Sequence, residues 1–385
     1  MASIPPSFAE FYETVKDTFL DRSSHILSPS YIRQVLSESG AMLPYAEQIV
    51  DAALQLQENT AARLLFCLLE KWILDLDNYT YSSYSPPAAD IPGLDFLHLF
   101  AALPTILGSV AHLRSRGVPE DVITATMQEY DFCVELRRKH TGKPSFDSGR
   151  LHWIRWVIHN RLINVGNLKF DFFRQRPPRE ACLYAHTGGE KLLLANNVWV
   201  HSSGGILDSA GLTDTDGSFF ADIQITQGKI TGYPIYNGVV SPEKVSLDCK
   251  EWNCCLGESD PVVCVHIPSG GNLDHDLVQA SYDRARKIFA RCYPDLIYKA
   301  FYTHTWLLSP QLQAHLKPGS NILSFQGDYA LFPCKSKGQF VFSFVFGCKP
   351  ENLEDLPENT SLQQSLKKLY LDGGYIHEYC GILSD

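Results

Sequence analysis

The apolar residues of this chain change their spacing once, near residue 150, and that change limits what it can fold into. From Pro6 to about His140 they recur every three to four positions, as in "SFAEFYETVKDTFL", "PYAEQIVDAALQLQENTAARLLFCLLEKWILDL" and "GLDFLHLFAALPTILGSVAHLRSRG". Such spacing lines one face of an α-helix. "VPEDVITATMQEYDFCVELRRKH" adds a helix, with Pro119 in its first turn and acidic residues following. The polar, Tyr/Ser/Pro-rich "DNYTYSSYSPPAADIPG" cannot continue a helix.

Beyond about Leu151 the period shortens toward two. "LKFDFF", "KLLLANNVWV", "FFADIQITQGKITGYPIYNGVV" and "EKVSLDCKEW" read as short strands, with Gln227-Gly228 as a hairpin turn. A buried strand over 262–267, a helix over 274–292 and a second strand over 300–308 form a β-α-β unit. A short helix over 310–316 follows, then paired strands over 321–332 and 339–347 and a last helix from about Ser361. The expected fold class is α+β: an all-α domain over 1–150, then a mixed sheet with flanking helices over 151–385.

The hydrophobic share of 45% is ample for a packed core. A net charge of −10 makes nucleic acid a poor partner, because phosphate binding needs clustered Lys and Arg. No apolar run approaches the roughly 20 residues of a bilayer span, so no membrane is expected. The N-terminus "MASIPPSFAEFYETVKD" has neither a basic n-region nor an apolar h-region, which implies a cytoplasmic protein. The 11 cysteines, odd in number and set in apolar runs, then read as reduced, buried thiols.

The ordered motifs "VHIPSGGNL", "AFYTHTWLLSPQL", "SNILSFQGDYALF" and "FVFG", with "LPYAEQIVDAALQL", "RGVPEDVITATMQEY" and "RLINVGNLKFDFF" before them, resemble bacterial acyltransferase-domain-containing proteins. Those pair a helical N-acyltransferase N-terminal domain with a GNAT-like C-terminal domain. The resemblance implies acyl transfer from acetyl-CoA or another acyl-CoA to a small-molecule amine, with no permanently bound cofactor. It also implies that the parallel strands over 262–267 and 300–308 splay apart to admit the thioester.

In that frame, the turn Ile267, Ser269, Gly270, Gly271 and Asn272 would face the CoA pyrophosphate at a helix N-terminus. The segment departs from the family's Q/R-x-x-G-x-G/A loop: Pro268 has no N–H, and Asp274 and Asp276 compete with phosphate for the helix end. A pyrophosphate cradle and a plain helix-capping corner therefore both remain open. So do two rival functions, a GNAT-derived binding module without catalysis and a transferase using a thioester other than CoA.

Alternation puts Cys264 with His266 on one strand face, and Tyr302, His304 and Trp306 on one face of the other. His266 is the candidate base, since an imidazole titrates near neutrality, with His304 or Tyr302 assisting. Trp306, Asn321, Gln326 and Arg161 are candidates for holding the acceptor. The irregular spacing of Cys249, Cys254, Cys255 and Cys264 does not suggest a metal site, and a Cys264 nucleophile would sit too deep in an apolar run.

Overall fold

The computed structural model describes residues 7–75, 91–175, 177, 179–268, 270–347 and 350–383. The chain divides into two compact units, Met1–Val165 with Ala285–Pro294, and Gly166–Arg284 with Asp295–Asp385. The first unit is helical, as its spacing requires. Its longest helix, Glu120–Thr141, opens with Glu120 and Asp121 and ends at Gly142, whose φ of 74° only glycine adopts easily. Pro119 stands one residue earlier than expected, at the N-cap. The boundary expected near residue 150 falls within helix Ser148–Ile158, which Asp147 caps by accepting the Arg150 N–H.

One stretch of the first unit is more apolar than the sequence reading allowed. Leu94–Ser115 has the length and a mean hydropathy, 1.6, of a membrane crossing. Two-thirds of its most apolar window is buried, and a 3₁₀ turn, Leu103–Thr105, interrupts it at Pro104. Such burial is what a core helix of a folded domain shows.

The second unit is a mixed sheet packed on an antiparallel one. The mixed sheet contains β1 (Leu168–Gln175), β2 (Val262–His266), β3 (Ala300–Thr305), β4 (Ala330–Pro333) and β5 (Tyr379–Leu383). Their order is β1-β2-β3-β5-β4, and β2 with β3 is the parallel pair. The crossover between them is helix α1 (His275–Cys292). The antiparallel sheet is built around Lys229–Tyr236, Lys191–Ala195, Ala181–His186 and Trp252–Leu256. Its hairpin at Gln227 and Gly228 has both residues at positive φ, 49° and 75°, as a two-residue hairpin turn needs.

Strand alternation decides which face meets what. Phe170 and Phe301 point to α1 and meet Tyr282 at ring distances of 5.8 and 4.9 Å. Each such aromatic pair adds about 0.5–1.5 kcal/mol beyond its buried area. The opposite face carries Val262, Tyr302, Phe332, Cys380 and Ile382 into one core with Leu183, Leu193, Ile235 and Leu256 of the antiparallel sheet.

The C-terminal part departs from the expected hairpin. Residues 321–332 are not one strand: Asn321–Gly327 is a helix capped by the Ser320 hydroxyl, and only Ala330–Pro333 pairs as a strand. Residues 339–347 hold a single π-helical turn, Phe342–Phe346, whose Phe342 stacks on Tyr370 at 4.7 Å. Packing against helix Ser361–Leu371 overrides the strand propensity of this aromatic run.

Gly166 opens the second unit at φ 60°, and a Cβ there would collide with the Ser281 hydroxyl of α1. That hydroxyl accepts the Asn167 N–H at 2.9 Å and donates to the Leu277 carbonyl at 2.7 Å. Gly166→Ala is expected to lower unfolding stability by about 1–3 kcal/mol in urea denaturation at unchanged slope. A loss below about 0.5 kcal/mol would show that the contact is not a constraint.

Candidate functional site

The parallel strands β2 and β3 stay in register for three residue pairs only: Val262 with Ala300, Val263 with Phe301, Cys264 with Tyr302. Beyond that point β2 continues against β1, pairing Val265 with Phe170 and His266 with Lys169. Meanwhile β3 continues against β5, pairing Thr303 with Gly381, His304 with Cys380 and Thr305 with Tyr379. Each strand keeps its outer neighbour and loses the inner one. At the apex the buried Thr303 hydroxyl donates to the Val265 carbonyl at 2.8 Å. The result is a V opening toward the C-terminal ends of β2 and β3, where ligands of open α/β sheets collect.

Cross-strand registers put Lys169, Asp171, Cys264, His266, Tyr302 and His304 on one face of this sheet. His266 closes β2 with its side chain one-third exposed, and its Nε2 lies 4.0 Å from Oδ2 of the buried Asp171. Burial opposes an imidazolium here, but Cys264 and the Asp171 carboxylate favour it and raise His266 to about 10. At neutral pH such a group carries its proton and donates. The base role expected from an ordinary imidazole is therefore displaced to high pH.

His304 is exposed, and hydrogen bonding with Cys334 raises it against burial. Tyr302 is buried in the core between the sheets, its hydroxyl 3.1 Å from the Cys380 sulfur. Burial pushes that phenol well above its ordinary range. Cys334 is pulled down to about 6 by hydrogen bonding with Cys380, against burial, with His304 adding to the effect.

The turn after β2 is largely occupied by itself. The Gly271 N–H donates to the Pro268 carbonyl at 2.9 Å, and the Asp274 N–H to the Asn272 side chain at 2.9 Å. Asp274 then caps α1, its carboxylate accepting the Leu277 N–H at 3.3 Å. Asn167 ties the turn down by donating to the Asn272 carbonyl at 2.8 Å. Gly270 adopts φ 72° with open space beside its Cα, and Ile267 lies just past the strand end. Ser269 lies outside the described residues.

The expected acceptor residues do not assemble at the V. Trp306 is not on the β3 face with Tyr302 and His304, because the strand ends at Thr305 and Trp306 enters a 3₁₀ turn, buried against Leu312, Phe346 and Tyr370. Gln326 and Asn321 lie on a helix rather than on opposite faces of a strand. The buried Gln326 amide donates to the Leu307 and Ser309 carbonyls, stapling two turns. It also lines a cavity of about 540 Å³ with Leu193, Ile235, Leu323, Tyr329 and Ala330. Ala330 belongs to β4, two strands away from β3 in the sheet order, and none of Val265, His266, Thr303 or His304 lines that cavity. Arg161 belongs to the helical unit, where its N–H closes helix Ser148–Ile158 on the Trp156 carbonyl.

Asp171, Lys169 and Thr303 escaped the sequence reading. The two charges alternate with apolar residues in "LKFDFF", a pattern that suits a solvated strand face, yet both are buried.

The sequence profile of the GNAT-like C-terminal domain matches residues 162–383. The chain belongs to this family. The fold is also shared with solved structures of low identity. One is an acyltransferase in complex with decanoyl-CoA, 18% identical, with a TM-score of 0.58 over 91% of this chain and 86% of that one. Another is an acyltransferase in complex with decanoyl-CoA and teicoplanin, also 18% identical, with a TM-score of 0.59 over 91% of this chain and 87% of that one. No curated protein sequence matches the chain.

Two measurements check this geometry. The His266 imidazolium stabilises the fold fully below its unfolded value of about 6.5, and the contribution disappears as pH rises through the raised folded value. Denaturation midpoints are therefore expected to fall between pH 7 and 10, and Asp171→Asn to flatten that slope and lower the His266 midpoint followed by NMR. An unchanged midpoint would remove Asp171 as the cause. Thr303→Val leaves the Val265 carbonyl without its partner and is expected to cost about 1–3 kcal/mol in urea denaturation; a neutral substitution would mean the apex is held by other groups.

Proposed function

We propose that this protein transfers an acyl group from acyl-CoA to an amine of a small-molecule acceptor. The observation carrying this reading is the divergence of β2 and β3 after three residue pairs. An opening between two otherwise paired strands presents unpaired backbone edges along a narrow slot, which suits the amide-bearing arm of a CoA thioester. Family membership and the acyl-CoA complexes of structures sharing the fold support the same donor. The helical N-terminal part, residues 1–150, would be the N-acyltransferase N-terminal domain that accompanies it.

In the reaction the acceptor nitrogen, as free amine, bonds to the thioester carbonyl carbon. The C–S bond breaks, the departing thiolate takes a proton from an acid, and the amine's proton passes to water or to the imidazole that has just given up its own. Because His266 holds its proton at neutral pH, it serves as that acid, donating to the sulfur or to the oxyanion that precedes its departure. His304, at the same end of β3, assists, with Tyr302 acting only through Cys380. Ile267, Ser269, Gly270, Gly271 and Asn272 flank the place where the pyrophosphate would sit.

The self-bonded turn and the Asp274 cap favour a second reading, a thioester donor without a nucleotide diphosphate. Calorimetry separates the two. With CoA as donor, octanoyl-CoA is expected to bind at least about 10-fold tighter than octanoyl-pantetheine, the scale of one or two charge-assisted hydrogen bonds. Asp274→Ser, which keeps a cap and removes the charge, should tighten CoA further. Equal affinities would favour the second reading, and no binding of either at millimolar concentration would overturn both. His266→Ala is expected to lower kcat by about 10²-fold or more in a thiol-release assay with an amine acceptor. Full turnover with an intact fold would remove it from the mechanism.

A further inference from the structure

We propose that His304, Cys334 and Cys380 form a binding site for a borderline-soft divalent cation, Zn²⁺ foremost, with one coordination position open. Their ligand atoms lie within 4.8 Å of one another. A tetrahedral zinc with sulfur ligands at about 2.3 Å and nitrogen at about 2.0 Å needs ligand separations of roughly 3.5–3.8 Å. The three side chains thus stand within about an ångström of ligating distance.

This proximity is built by the sheet. His304 and Cys380 are direct partners across β3 and β5, and Cys380 pairs with Phe332 of β4. Cys334 follows Phe332 by two residues, so it returns to the same face as Cys380. Two of the ligands therefore sit on adjacent strands, and Cys334 directly follows the end of the third. The chain past Cys334 is fixed as well: the Ser336 hydroxyl donates to the buried Glu378 carboxylate, and the Glu378 N–H donates back to Ser336 at 2.9 Å.

The chemistry of the set fits such an ion. Two thiolates and a neutral imidazole balance its charge, and binding expels whatever protons these ligands carry. The Tyr302 hydroxyl, 3.1 Å from the Cys380 sulfur, can donate to that thiolate and orient it. Both cysteines are buried while His304 is exposed, so an ion can enter from the imidazole side and keep a water there. Two cysteines and one histidine with a fourth position free is a ligand set of catalytic zinc, not of a closed structural site. His304 would then act through the ion. The site stands on these three residues and not on the acyl-transfer reading.

Elemental analysis of the full-length protein, purified under reducing conditions without chelator, is expected to give about one zinc per chain. Replacing it with Co²⁺ in chelator-stripped wild-type protein should produce thiolate-to-cobalt absorption in the near ultraviolet. Cys334→Ser with Cys380→Ser should abolish both signals. His304→Ala should weaken Co²⁺ binding by at least the roughly 10–100-fold that loss of a mere supporting partner costs. Absence of zinc together with no cobalt–thiolate band in the wild type would overturn the proposal, whatever the variants do. So would a mass 2 Da below the reduced chain in metal-free protein kept under reductant, which would make the two cysteines a disulfide pair.

Discussion

Everything in the second unit is arranged around a parallel pairing that is only three residues long. A parallel strand pair that parts this early would ordinarily leave two rows of orphaned backbone groups. It survives because both strands are interior. β1 supports β2 to its end and β5 supports β3 to its end, so each strand is half-satisfied where the other has left it. The aromatic contacts of Phe170 and Phe301 with Tyr282 hold the rear face of the same two strands onto α1. The opening is a property of the whole sheet, and no loop has to move to make it.

The polar content of that face follows from the same arrangement. Lys169, Asp171, Cys264 and His266 alternate with the apolar residues that meet α1, and they face the end where the strands part. A carboxylate as buried as Asp171 is costly unless a cation compensates it, and the neighbouring imidazolium supplies one. What stabilises Asp171 also keeps a proton on the group nearest the opening. The turn beyond β2 tells the opposite story. Its Gly271 and Asp274 N–H groups are spent on the Pro268 carbonyl and the Asn272 side chain, as in a helix cap.

The fold was legible where local pattern and tertiary context agree. The change of period, the Gln227-Gly228 hairpin and the strand–helix–strand unit all rest on spacing and turn chemistry that need no partner. It was not legible where context decides. In "SNILSFQ" the apolar residues fit a period of two nearly as well as one of three and a half, and the Ser320 cap was the signal that separated them. In "QFVFSFVFG" strand propensity points one way and the Leu366 and Tyr370 face of a later helix points the other. The candidate site divided along the same line. His266 and His304 were singled out because each lies on a recognisable strand, His266 at its end. Asp171 is buried where alternation alone points a charge outward, and Cys334 with Cys380 lie too far apart in sequence for any spacing rule to join them.

The Thr303 hydroxyl has a mechanical consequence. A wedge cut into a sheet behaves like a crack, with load concentrated at its tip, and the next rung of the ladder is the first to fail. Here the rung is reinforced by a side chain that reaches across and grips the opposing carbonyl. The depth of the wedge is then fixed at one residue, and a change at that residue would shift its tip without redesigning the sheet.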